Sequence, residues 1–449
     1  MNTTLNSFEK DFAIAAIAID TLWGGNYKDK TGEAHLIVDA YCSGKEEPDV
    51  EPEDLKNLFL KGGVTVTDQK AIEKFICANQ IYERLERVKA YTSTLENEFR
   101  RDYLNNAYSV LSVILELRKQ AALMSDNVKD VDAYKIALGR EPKYIEHEDI
   151  KENLIKYLDK AGFKLTPGKT LNMILDEFNE KNMLDADTME ELWPIYSEEM
   201  NKLTKERIYP YLPAWVNEIP LDAVDYAIMR EEVSYSGLNL ALHTIKDNVP
   251  IYNTIIRMSD KVTRTKTSYK LGLVAHEGAP GHGLHLPLTH ALYARGAFGF
   301  ETTMLFLGSP FATIGEGIAT TTSELLFGSN LSDYLTNEEL IATYEDYLNV
   351  CGRNNVVIRY LEGEKNPENL AKYLYDEYCF SESNSKKYTG WLFHEKMGKL
   401  LGLMYLPSYG IGCMAVRNAI KKHGREKVIP AVYGINGQVD IVNFEKAIL

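Results

Sequence analysis

Apolar residues recur at threes and fours through most of this chain, and the runs they form predict amphipathic helices packed as an array. Between residues 68 and 124, Ile72, Phe75, Ile76, Ile81, Leu85 and Val88 keep to one side with charges between them. Residues 104–123 repeat the pattern. Turn signals at Thr166-Pro167-Gly168 and across 182–187 set off further helices at 171–179 and 188–207. The stretch from Phe12 to Ile19 is apolar all round, which predicts a buried helix. Residues 271–279, 316–326 and 335–359 are helical in pattern as well. Strand signals are few, at 64–67 and 250–256, so the fold class is expected to be mostly α. Pro210, Pro213 and Pro220 cluster where composition changes. They divide the chain into an N-terminal helical region, 1–210, and a region at 211–449, or mark a bend within one continuous helical domain.

Length and charge narrow the function classes. The 449 residues suffice for two core-forming units or for one large helical body with a cleft. A net charge of −15 argues against a nucleic-acid partner, which calls for a basic stripe, and against docking to an anionic membrane surface. Cys42, Cys77, Cys351, Cys379 and Cys413 are scattered and never form a Cys-x-x-Cys pair, so neither a disulfide framework nor a thiolate metal site is expected. Glu9, Lys10 and Asp11 precede the apolar run at 12–19, which is too short and wrongly flanked for an export signal or a membrane span. A cytoplasmic location is the expectation that follows.

The candidate chemistry lies in Leu273-Val274-Ala275-His276-Glu277-Gly278-Ala279-Pro280-Gly281-His282. A zinc-hydrolase helix of the form His-Glu-x-x-His sets two imidazoles one turn apart on one face. Here the second histidine comes two residues late. Six residues of regular helix place His276 and His282 about 120° apart and about 9 Å along the axis, too far to share one ion. Pro280 and Gly281 are residue types that break a helix, so a distortion there is expected to swing His282 back toward His276. A hydrolytic zinc site needs a third protein ligand beside an open position. Ile314-Gly315-Glu316-Gly317-Ile318-Ala319 offers Glu316, which taken alone reads as an acid opening a helix that runs to Leu326.

His-Glu-x-x-Pro-Gly-His followed by Glu-Gly-x-Ala resembles the bacterial domain of unknown function 885 family, which belongs with the gluzincin-type metallopeptidases. Ser408-Tyr409-Gly410-Ile411-Gly412 is similar to a Ser-Tyr-x-x-Gly segment near that family's C-terminus. The resemblance covers about the last 180 residues. It implies a helical body with a cleft around the metal helix, zinc held by His276, His282 and Glu316, and hydrolysis of peptide or other amide bonds by a metal-activated water. Glu277 would be the general base and Tyr409 the donor to the oxyanion; taken alone, Tyr409 is a packing residue. Glu324 or Asp333 is expected to orient a ligand histidine, and His285 and His290 stand by as substitute ligands. The partner implied is a peptide or a small amide.

The sequence also departs from the family. Ile318 stands where a tryptophan is usual, Gly283 and His285 where His and Gln are usual, and Ile358-Arg359-Tyr360-Leu361-Glu362-Gly363 where a histidine-bearing stretch is usual. These differences leave two alternatives: a zinc amidohydrolase on a non-peptide substrate, or a metal-containing binding protein with impaired catalysis. His147-Glu148 and His394-Glu395 lack a second histidine at ligand spacing, and the first reads as a solvated helix start.

Overall fold

Apolar spacing becomes buried spacing almost wherever the structure describes the chain. The computed structural model describes residues 6–23, 37–39, 69–219, 221, 224–230, 237–246, 249–258, 264–394, 398–438 and 440–448. Cys42, Pro220 and the strand expected at 64–67 lie outside them. The fold is mostly α. The first helix, Ser7–Leu22, opens with a reciprocal cap in which Asn6 accepts from Glu9 N and the Glu9 side chain accepts from Asn6 N. From Phe12 to Ile19 every side chain is buried, so the all-apolar run is a central helix. The run at 68–124 resolves into Gln69–Ala78, Ile81–Thr92 and Glu98–Ala121, whose apolar stripes supply Ile72, Ile81, Leu85, Val88 and Leu104 to the core.

One hydrophobic cluster extends from Phe8 to Ile448 and takes side chains from both sides of the proline cluster. The helix Glu148–Lys160 packs on the long helix Asn337–Leu361. Ile145, just ahead of it, exchanges two hydrogen bonds of 2.8 Å with the Asn355 side chain. Arg100 reaches Glu301 at 2.7 Å, and Glu301 is fully buried. A buried carboxylate is tolerated when an arginine pairs it. The decoy His147 is the N-terminal cap residue of Glu148–Lys160, as a solvated helix start requires. Cys77 is exposed, and Cys351, Cys379 and Cys413 are buried free thiols.

Strands are confined to small sheets. Val249–Met258 is the middle of three, pairing in parallel with Val224–Arg230 and antiparallel with Gly237–Lys246. Only the middle strand overlaps a sequence expectation. Leu238, Leu240 and Leu242 alternate with Asn239 and Ala241 ahead of Asp247-Asn248, a hairpin signal that the search for helical periods passes over. Met183 and Leu184 pair with Thr265 and Arg264, within the stretch expected to be only a turn. That short ladder fixes the chain where it enters the metal helix.

Candidate metal centre

Thr265 caps the helix that carries His276 by accepting a hydrogen bond from Ser268 N. The helix runs from Lys266 through a wider π turn at Lys270–Val274 and ends at Glu277. The end is sharp because Gly278 and Gly281 leave helical dihedrals and a new helix, His282–Ala294, begins at once. The Ala279-Pro280 peptide is cis. The connecting turn folds back on the helix it leaves: Gly281 N donates to Ala275 O at 3.0 Å, and a Cβ on Gly281 would lie 2.6 Å from that oxygen. Only glycine permits this approach. Tyr433 Oη clamps the turn from outside, donating to Pro280 O at 2.6 Å.

The break returns His282 to His276. Their ring centroids lie 5.0 Å apart at 87°, in place of the separation a continuous helix imposes. Glu316 comes from Pro310–Thr320, which starts at Ser309, whose side chain accepts from Ala312 N, with Pro310 at the first helical position. The expectation that Glu316 opens a helix running to Leu326 is corrected. Glu316 lies in the second half of its helix, and a bend at Thr321 separates the next one, Thr322–Phe327. Attraction to the positive end of a helix therefore does not account for its position.

Ligand-type atoms of His276, His282 and Glu316 all lie within 4.8 Å of one another. Glu316 Oε2 stands 3.6 Å from His276 Nε2 and 3.8 Å from His282 Nε2. Burial holds His276 well below the usual histidine range, with His282, Arg264 and Arg353 adding to the effect, and burial lowers His282 to about 4. Both rings are thus neutral at pH 7 and present lone pairs. The His276 ring also hydrogen-bonds the backbone of Ala319, on the helix that supplies Glu316. This backbone group supplies the orienting contact expected of Glu324 or Asp333. Glu324 is engaged by Tyr347 and by Arg417 at 3.0 Å, and Asp333 is exposed.

Burial raises Glu316 to about 7, against the opposing effects of Tyr405 and Arg353. Its Oε1 accepts from Tyr405 Oη at 2.7 Å, whereas Oε2 is buried with no hydrogen-bond partner. Two imidazole lone pairs and a partnerless carboxylate oxygen facing one another are unfavourable unless a cation lies among them. The donor set, two imidazoles and a carboxylate, is one that suits zinc. Glu277, next to His276, is buried, and burial followed by the nearby Glu316 raises its carboxyl to about 8. Its carboxyl group has no hydrogen-bond partner among the described residues, in contrast to the buried Glu301 and Glu324.

Tyr409 stands one hydroxyl away from the ligand set. Tyr405 gives its only proton to Glu316, so the 2.7 Å contact between the two hydroxyls has Tyr409 donating to Tyr405. The sequence signal for Tyr405 is its spacing of four from Tyr409, which sets the two on one side of a helix. His285 and His290 are buried along the helix His282–Ala294 and are not members of the three-residue cluster. His394 is exposed after the end of the helix Glu382–Phe393, and Glu395 lies outside the described residues. The Tyr405→Phe protein is expected to bind zinc about 10–100-fold more weakly, the usual consequence of losing a group that orients a ligand. Competition against a chelator of known affinity measures this, and an unchanged affinity would mean that Glu316 is held by its helix alone.

No protein-family model matches this chain, and no curated protein matches it. Among solved structures it is similar to one described as a putative lipoprotein from Colwellia psychrerythraea, with a TM-score of 0.51 at 13% identity, over 81% of this chain and 66% of that one. A putative lipoprotein of unknown function from Shewanella oneidensis aligns with a TM-score of 0.42 at 12% identity, over 89% of this chain and 79% of that one. Identity this low speaks for a shared fold alone. The chain spans just under two thirds of the length of the Colwellia protein. The expected cytoplasmic location is corrected here: the Colwellia protein is described as a putative lipoprotein, and lipoproteins are exported and anchored at a membrane. The expectation rested on the acidic flank of the apolar run at 12–19, which is a buried core helix and carries no information on location. The one described helical stretch long and apolar enough to cross a membrane, Lys399–His423, has 67% of its most apolar window buried inside the fold. It carries Tyr405 and Tyr409.

Proposed function

We propose that this protein is a zinc-dependent hydrolase of peptide bonds, with His276, His282 and Glu316 as the metal ligands and Glu277 as the general base. The observation that carries the reading is the partnerless Glu316 Oε2 facing two neutral imidazoles, with a second buried glutamate, Glu277, directly beside His276. A zinc ion in such a ligand set supplies Lewis acidity toward a carbonyl oxygen and toward water. The chain's own residues do the rest. Glu277, which a cation held by the ligand set would draw into its ionised form, takes a proton from the attacking water and returns it to the leaving nitrogen as the amide bond breaks. Tyr405 fixes Glu316 by binding the oxygen turned away from the histidines. Tyr409, whose proton goes to Tyr405 when no substrate is present, can turn that proton to the oxyanion. The placement of these residues supports the resemblance to the gluzincin-type peptidases. A protein that kept an ion for structure alone would have no use for a buried carboxylate without a partner, so the hydrolase is favoured over the impaired binding protein.

Metal analysis by plasma mass spectrometry on untagged protein tests the reading. About one zinc per chain is expected, with none in the protein carrying both His276→Ala and His282→Ala. Cleavage of a peptide library should stop with a chelator and return with added zinc. A chain that takes up no zinc after incubation with the ion would refute the assignment.

A further inference from the structure

The chain is acidic overall, yet cations gather at the candidate centre. Arg264 and Arg353 both act electrostatically on His276; Arg264 is felt by Glu277 and Arg353 by Glu316. Lys387 lies in the field of both arginines. Elsewhere enclosed arginines donate to carboxylates, Arg100 to Glu301 at 2.7 Å and Arg417 to Glu324 at 3.0 Å, or to backbone carbonyls, as the Nε of Arg425 does to Leu325 O at 2.8 Å. Arg264 and Arg353 depart from this pattern. Each has a buried Nε without a hydrogen-bond partner, and neither has a carboxylate within ion-pair distance among the described residues. Asp346 is close enough for both to act on it, but it forms no ion pair with either.

The Arg353 guanidinium and the Arg264 backbone are also held in place. Arg353 lies 4.4 Å from the ring centroid of Tyr409 and 4.7 Å from that of Tyr388. Aromatic contact occupies the faces of a guanidinium and leaves its N–H edges for an anion, and a planar carboxylate matches two of those N–H groups at once. Tyr409 in turn leads through Tyr405 to Glu316, so Arg353 and the third metal ligand belong to one chain of contacts. Arg264 pairs with Leu184 in the short ladder, one residue before the Thr265 cap of the metal helix. Enclosed guanidinium groups without partners are costly, and a substrate that supplies the missing carboxylate recovers the cost on binding.

We propose that Arg353 and Arg264 form a carboxylate-binding subsite beside the metal centre, so that the preferred substrates are short peptides or acylated amino acids with a free carboxylate close to the scissile amide. The substrate class rests on the hydrolase reading; the subsite itself can be tested apart from it. Isothermal calorimetry on the full chain, both zinc-loaded and treated with a chelator, compares N-acetyl-Ala-Phe bearing a free carboxylate with its C-terminal amide. The acid should bind at least about tenfold more tightly in both states, as charge-assisted hydrogen bonds predict. That preference should fall below about threefold in Arg353→Gln and in Arg264→Gln, while zinc content and melting temperature stay at the parent values. Arg353→Lys should keep part of the preference, having the charge without the planar fork. Equal binding of acid and amide, binding of neither, or a preference untouched by both glutamine variants would overturn the subsite. An acid preference in a chain that takes up no zinc would leave the subsite standing and remove the hydrolase; zinc uptake without the preference would do the reverse.

Discussion

Replacing Glu277 with glutamine is expected to leave zinc in place and to lower hydrolysis about 10²–10⁴-fold, the usual contribution of a positioned general base. Glu277 follows His276 in the last turn of its helix and is buried, and it is not among the residues that converge as ligands. Glutamine matches its shape and can neither accept nor return a proton. The loss should therefore appear in kcat with KM nearly unchanged, and metal content should remain that of the parent. Glu316→Gln is the contrasting case. It removes the charge that faces two neutral imidazoles, so it should lower zinc content and activity together. Activity within about threefold of the parent in Glu277→Gln, with zinc retained, would exclude Glu277 as the base.

The candidate site was legible in the sequence at the level of residue chemistry. The delayed His282 was read as a distortion because proline and glycine preceded it, and the turn back at Gly281 is the physical form of that distortion. What the sequence could not disclose is how the elements cross. Tyr405 touches Glu316 across 89 positions of sequence, and no local period announces such a contact. Arg353 lies in the helical run at 335–359, where nothing in the local pattern marks the contacts with the Tyr388 and Tyr409 rings that the fold creates. The π turns before His276 and ahead of Tyr409 were equally hidden. Such turns take in an extra residue and so rotate the side chains that follow, and no residue type marks them in the sequence. The strands at Val224–Arg230 and Gly237–Lys246 were lost for another reason: strand patterns of this length are easily subsumed when long helical periods surround them.

Long-range packing also explains why glycines surround Glu316. The helix Pro310–Thr320 crosses the helix Ser408–His423 with Gly317 against Gly412, backbone on backbone. A Cβ on Gly317 would lie 2.6 Å from both the carbonyl carbon and the oxygen of Gly412. The small residues let the two helices approach until Tyr409, at the start of one, and Tyr405, in the π turn just ahead of it, stand beside Glu316 on the other. The spacing that builds the hydrogen-bond relay is thus set at the crossing, by residues that carry no chemistry themselves.

Gly412→Val should consequently disable the site without touching a ligand. A Cβ at residue 412 would overlap the Thr313 carbonyl oxygen and lie 2.7 Å from Gly317 N. Both obstacles are backbone atoms inside helices, so no side chain can rotate out of the way. The helices must separate, and overpacking of this kind costs about 1–3 kcal/mol or more. Separation also draws Tyr405 away from Glu316, freeing the carboxylate to leave the orientation that faces the histidines. Two readouts should move together: a melting temperature several degrees lower, and zinc affinity reduced at least as far as in Tyr405→Phe. Gly424→Ala is the control, since a Cβ there meets nothing within 4 Å and the residue lies beyond the end of the same helix. Its positive φ of 75° gives it a modest stability cost but no path to the metal. If Gly412→Val and Gly424→Ala lowered stability alike and left zinc affinity equal, the crossing would not be what sets Glu316 in place.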